Sequence, residues 1–179
     1  MNAEGVEIAA LRAELQRLDG LEQMRTRIHH CARALDRLDR SLLEAQFWPD
    51  AHVDYGVFYR GPVPGFLDVA MRFQGSMRDT QHLIGSVCIE LDGDEARSES
   101  YVHANHVIVE DEGLTQLRVG GRYLDRFERR GGMWRLTYRT EVIDWGSRFR
   151  QADGWFESND PLPKGQRNRG DLSYEFMKC

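Results

Sequence analysis

No stretch of this sequence approaches the roughly 20 consecutive apolar residues that a membrane-spanning helix requires. Cysteine is scarce too. Cys31, Cys88 and Cys179 lie far apart, with no CxxC pair and an odd total, which disfavours both a disulfide framework and a zinc site. Reduced thiols of this kind imply a cytoplasmic protein. An excess of positive charge is missing as well: the net charge is −5 and the pI about 5.7. That argues against a binder of nucleic-acid phosphates, which carries a basic surface. Basic residues gather only in "DRFERRGG" and "KGQRNRG", which read as solvated turns. HxH, HExxH and carboxylate-triad spacings are absent, as is a Gly-rich phosphate loop, so neither a metal nor an organic cofactor is expected. No internal repeat is visible, and the charged, helix-patterned N-terminus is not a secretory signal.

What is present is a chain of one domain's length, 179 residues, with the 41% apolar and 30% charged fractions of a globular protein. Ile8, Leu11, Leu15, Leu18, Leu21 and Met24 recur at helical spacing, which predicts a helix from residue 6, interrupted at Gly20. A second helix is expected over about Leu21 to Leu38, and a short third over Asp39 to Gln46 with Asp39 or Ser41 as N-cap. "FWPDA" should end helical structure. "HVDYGVFYRGP" alternates like a strand, and "VPGFLDVAMRFQGSM" returns to helical spacing. Four strand-like runs follow, His82 to Leu91, Ala96 to Glu110, Gln116 to Arg129 and Trp134 to Asp144, separated by hairpin punctuation. This order predicts an α+β fold with helices against one face of a mostly antiparallel sheet. Residues 1–20 read as a helical extension, 21–148 as the domain and 149–179 as a tail or flap.

Period two puts His106 on one face of its strand and His103 and Tyr101 on the other, so "HANH" cannot offer both histidines to one metal. Adjacent His29 and His30 diverge on a helix in the same way. Asp36 stands beside an apolar helix stripe of Cys31, Ala34, Leu35 and Leu38, where a carboxylate is costly to bury unless a donor meets it. His82 in "TQHLIGS" precedes an apolar pair. An Asp–His pair is useful chemistry: the carboxylate fixes the imidazole's tautomer and stabilises its protonated form, so the ring can take and return a proton near neutral pH. Taken alone, each residue has an ordinary structural reading as well, an exposed helix-end aspartate and a satisfied core histidine.

Four fragments in order carry a resemblance: "ALDRLD…FWPDAHVDYG", "TQHLIGSV", "DEARSESYVHANH" and "GGMWRLTYRTEVIDWG". Over roughly residues 20 to 148 the chain resembles the scytalone dehydratase and SnoaL-like branch of the NTF2-like superfamily. The resemblance implies a cone-shaped barrel, a curved mixed sheet around N-terminal helices that encloses an apolar pocket, in cofactor-free enzymes that include a homotrimer. It also implies an Asp36–His82 dyad, with His106 as a second histidine and Tyr55 helping to hold a water. Tyr59, Phe58, Tyr101, Tyr123 and Arg139 are candidate substrate contacts, Tyr101 being the weakest because parity sets it opposite His106.

The chain departs from the dehydratase pattern at Leu35, where that family has a tyrosine, and at Gly121 and Tyr123, where it has polar strand residues. Arg139 and Glu141, on the face of Ile143, replace an apolar wall. Arg139 needs an acid or an oxygen-rich group: either Glu141 answers it in a structural pair, or a carboxylate, phenolate or methoxyphenol oxygen of the substrate does. The resemblance implies a cofactor-independent lyase, and the departures a substrate other than scytalone: a small, hydrophobic, hydroxylated aromatic or polycyclic molecule. It would eliminate water and, through a quinone methide, formaldehyde, as in the deformylation of lignin-derived diarylpropanes. Phe58, Tyr59, Phe66, Phe73, Trp155 and Phe156 would suit two rings. The alternatives are a non-catalytic binding module, like a dioxygenase small subunit, and a ketosteroid isomerase-like or polyketide cyclase-like enzyme. No nucleic-acid or membrane partner is expected, and a homotrimer or other homo-oligomer is.

Overall fold

Residues 3–150 and 163–177 are described by a computed structural model. The chain runs α1 (Ala3–Arg37), α2 (Arg40–Glu44), β1 (Phe47–Asp54), β2 (Arg60–Pro62), α3 (Val63–Gly75), β3 (Asp79–Asp92), β4 (Glu95–Glu110), β5 (Gly113–Arg130), β6 (Met133–Arg150) and a last turn of helix, α4 (Ser173–Phe176). The strands form one sheet in the order β2-β1-β6-β5-β4-β3. All neighbours are antiparallel except β1 and β6, so the sheet is mixed, as expected. No described helix is long and apolar enough to cross a membrane.

The expected break at Gly20 does not occur; α1 is continuous. Glycine costs a helix about 1 kcal/mol relative to alanine, but here it answers a packing demand. A Cβ at position 20 would lie 2.8 Å from the indole Nε1 of Trp134, so the missing side chain lets the helix lie against β6. Arg27 then holds the Trp134 carbonyl at 3.0 Å, and Gln23 accepts from the Trp134 amide at 3.0 Å. The first turns of α1 leave Ile8, Leu11, Leu15 and Leu18 exposed, so their helical spacing marks a face with no described partner.

Helix α1 ends in a hydrogen-bonded reversal. The Asp39 amide donates to the Ala34 carbonyl at 2.9 Å and the Leu38 amide to Leu35 at 3.4 Å, with Leu38 in the left-handed region at φ 52°. Asp36 is therefore in the final helical turn, and Asp39 caps α2 by accepting from the Leu42 amide at 3.0 Å.

Strand β1 begins at Phe47 and includes Pro49, earlier than the proline suggested. The register with β6 shifts between Phe47 and His52, and such an irregularity is where a strand tolerates proline. Tyr55 to Tyr59 form a loop rather than strand. Helix α3 presents Val63, Phe66, Leu67 and Ala70 to the core at helical spacing.

Along β4, Ala96, Ser98, Ser100, Val102, Ala104 and His106 face the helices and are buried. Register shifts at Ile84/Val87, Gly120/Gly121 and Arg126/Phe127 bend the three long strands beside it. The sheet thereby curves, and its inner face packs on α1 and α3 through a core that includes Met24, Ile28, Leu67, Phe127 and Leu136. The four long hairpin strands run past their expected ends because the hairpin turns Gly93, Gly113 and the Gly131–Gly132 pair are tight and adopt positive φ.

Candidate active site

The end of α1 meets the start of β3. The Asp36 Oδ1 accepts from His82 Nδ1 at 2.7 Å and from the Thr80 hydroxyl at 3.1 Å, while Oδ2 accepts from the His82 backbone amide at 3.0 Å. Three donors thus converge on a carboxylate that is 8% exposed, satisfying a charge placed at the unfavourable negative end of a helix. Thr80 and His82 supply them because both project to the same side of β3. The His82 side chain is 4% exposed. With Nδ1–H committed to Asp36, Nε2 carries the free lone pair, and no hydrogen bond from the described residues occupies it.

His106 lies on the next strand, its residue directly opposite Thr80, with its ring 5.4 Å from that of His82 in an edge-to-face arrangement. Burial, and then the neighbouring His82, lower its pKa to about 4, so it is a neutral imidazole at physiological pH. Its Nδ1 is buried without a hydrogen-bond partner. Phe73 of α3 closes over the same ring at 6.1 Å. Tyr55 stacks on Phe66 at 5.0 Å, with Tyr123 at 6.5 Å. Burial pushes the pKa of both tyrosines up, so each hydroxyl is a donor rather than a phenolate.

Arg139 lies on the inner face as strand parity predicts, but its acid is not Glu141. Asp125, opposite it on β5, takes the guanidinium in two bonds of 2.7 and 2.8 Å, both side chains being almost wholly buried. The guanidinium stacks over Tyr123 at 4.3 Å. Burial works against its charge, but Asp125 outweighs that and holds the pKa above its ordinary value. The Cys31 thiol faces this pair, and burial pushes it up to about 11.

Three further candidates fall outside the cluster or at its margin. Tyr101 is half exposed on the outer face of the sheet, lining an apolar groove with Leu83, His103 and Trp145, so it is not a neighbour of the dyad. Tyr59 spends its hydroxyl on the Pro62 carbonyl at 2.7 Å and packs on Phe66. Phe58, 70% exposed, touches Phe73 at 6.0 Å and so stands at the margin. Trp155, Phe156 and Cys179 lie outside the described residues.

Sequence reasoning missed Thr80, Asp125 and Arg167. Parity with His82 and with Tyr123 would have flagged the first two. Arg167 had no signal. It arrives from the C-terminal segment and donates to the Asp36 carbonyl at 3.3 Å and the Met77 carbonyl at 2.7 Å. Nearby, Tyr174 donates to Asp39 at 2.8 Å and Arg37 pairs with Asp171 at 3.0 Å, so residues 166–174 strap the end of α1.

A cone of curved sheet over helices, with an Asp–His pair on its inner face, is an NTF2-like fold. The chain matches the SnoaL-like domain over residues 16–140 and belongs to that family. Among solved structures it is similar to a type 2 hexachlorocyclohexane dehydrochlorinase (LinA), with a TM-score of 0.70 and 21% identity over 78% of this chain and 97% of that one. A scytalone dehydratase candidate from Novosphingobium aromaticivorans matches with a TM-score of 0.65 and 19% identity, over 80% and 95%. The Kfla4162 protein from Kribbella flavida matches at 0.68 and 17%, over 73% and 95%. No curated protein sequence matches the chain.

Proposed function

We propose that this protein is a cofactor-independent lyase that eliminates water from a small hydroxylated aromatic substrate, with His82 as the base. The observation that carries this reading is the 2.7 Å bond between His82 Nδ1 and Asp36 on the buried inner face. It orients the ring, sets its tautomer and stabilises the imidazolium that forms when Nε2 accepts a proton. His106, as a neutral ring, and the Tyr55 hydroxyl polarise a carbonyl or phenolic oxygen as charge develops on it. The dehydrochlorinase and dehydratase names among the structural neighbours support an elimination.

In its finer form the substrate is a diarylpropane diol with a para-phenol. His82 removes the phenolic proton, the benzylic C–O bond breaks as its oxygen takes a proton from an acid of the site and leaves as water, and a quinone methide results. Loss of the terminal hydroxyl proton then breaks the C–C bond, releases formaldehyde and returns the electron pair to the ring. The product is a stilbene.

The test is incubation with a panel of hydroxylated aromatics, diarylpropane diols among them, with products identified by mass. A product lighter by water, or by water and formaldehyde, that disappears in His82→Ala supports the reading. An isomeric product would replace it with an isomerase. Tight binding without turnover, unchanged in His82→Ala, would make the protein a binding module.

A further inference from the structure

With Arg139 taken by Asp125, Glu141 is left over. It sits two residues along β6 on the same inner face, half-buried, and its carboxylate makes no hydrogen bond or ion pair with the described residues. Its oxygens keep accessible surface, so the carboxylate is open to a ligand.

The register places this group three strands away from the base on the same curved inner face. Glu141 stands in a row with Tyr123 and Ser100, and His82 in a row with Ala104 and Val119. Between these rows β5 contributes Gly121, where a Cβ would strike the Val142 carbonyl at 2.3 Å, so no side chain projects from that strand between the two groups. The sheet curves between β3 and β6, and His82 is among the charges that act on Glu141. Ser98 Oγ and Ser100 Oγ on β4, and His106 Nδ1, are buried without partners, so the same inner surface carries polar atoms that a ligand could satisfy.

We propose that Glu141 is the acid that protonates the departing hydroxyl while His82 acts as base. This rests on the lyase reading above. In the step, the substrate proton passes to His82 Nε2 and the electron pair moves through the substrate. The C–O bond breaks with its pair on oxygen, and that oxygen takes the Glu141 proton and leaves as water. An imidazolium and a carboxylate remain, and passage of one proton from the first to the second restores the site.

The charged and titratable groups facing Glu141 are His82 from β3, Arg139 on its own strand, Tyr123 from β5 and Tyr55 after β1. Asp125 neutralises Arg139, and Cys31 faces the same cluster from α1. Burial raises the Glu141 pKa, opposed by His82 and Arg139, which keeps more of it protonated near neutrality than an exposed glutamate would be.

The experiment compares two probes, a 1,2-diarylpropane-1,3-diol with a para-phenol and its benzylic acetate ester, spontaneous loss of acetate being subtracted. Acetate leaves without a proton. Glu141→Gln is expected to slow the diol by ~10²-fold or more, the typical worth of a positioned acid. It should slow the ester far less, with melting within a few degrees of the parent. The diol rate of the parent, unlike that of the variant, should fall as pH rises through the titration of Glu141. Equal slowing of both probes, or of neither, overturns the proposal. His82→Ala should slow both; if it slows neither, the dyad reading fails instead. If the parent turns over neither probe, the titration of 13C-carboxyl-labelled glutamate decides, with Glu141→Gln assigning the signal. Titration above the ordinary glutamate range, moving higher in His82→Ala, upholds Glu141 as a poised acid. An ordinary titration indifferent to His82 overturns it.

Discussion

Asp36 and Asp125 are both buried carboxylates on the inner side of the sheet, and each is met at 2.7 Å by a nitrogen of a basic side chain. The partners separate them. Arg139 cannot give up its proton, so the Asp125 pair holds two permanent charges in the core, anchored by two bonds and a tyrosine ring. His82 can be neutral or charged, and Asp36 receives two more donors, Thr80 and the His82 amide, that keep it satisfied in either state. One pair is built to stay as it is. The other tolerates a proton arriving and leaving, which is what the proposed chemistry asks of it.

The largest effect should come from breaking the permanent pair. Arg139→Met strands the Asp125 charge in the core and is expected to cost about 3–5 kcal/mol in urea unfolding. The Michaelis constant of the surviving protein should be unchanged. A raised Michaelis constant with normal stability would move Arg139 into substrate binding and erase the contrast. His82→Ala, by comparison, should leave melting nearly unaltered and lower turnover by ~10²-fold or more. A His82→Ala protein that unfolds instead would make the two pairs alike.

An intermediate effect concerns His106, whose pKa of about 4 lies below the 6.5 of an unperturbed imidazole, chiefly through burial. Between those values the unfolded chain binds a proton that the folded protein refuses. Stability should therefore fall on acidification from pH 6.5 towards 4, by at most ~1.4 kcal/mol per pH unit from this group. His106→Phe should remove that part of the slope and leave stability above pH 6.5 unaffected by titration; an unchanged slope in urea denaturation would show that His106 is charged in the fold.

The smallest effect is expected at Arg167. Arg167→Met removes donors from the Asp36 and Met77 carbonyls, so turnover should drop a few-fold, about the worth of one or two net hydrogen bonds. The pH profile should move with it, because the Arg167 charge faces Asp36 and His106. Loss of stability without any change in the profile would make the C-terminal strap structural only.

Much of this architecture follows from local pattern. Period two placed His106 and Arg139 on the inner face and Tyr101 and His103 on the outer one, and helical spacing delimited α3, because these depend only on how a single element twists. The awkwardness of Asp36 beside an apolar stripe already called for a donor, and the resemblance of short motifs supplied His82. Local pattern failed where the deciding contact was distant. Gly20 read as a helix break until Trp134, on the last strand, was found lying against it. Glu141 and Asp125 share the inner face with Arg139, and composition cannot choose between them. The cross-strand register sets Asp125 directly opposite and leaves Glu141 unpaired. Arg167 reaches Asp36 from 131 residues away, a contact no periodicity encodes. The sequence by itself determined most of the elements and their faces, since these are set by neighbours within a few residues. Only the tertiary structure decided which charges neutralise one another and which remain for chemistry, because a buried charge is defined by what closes over it.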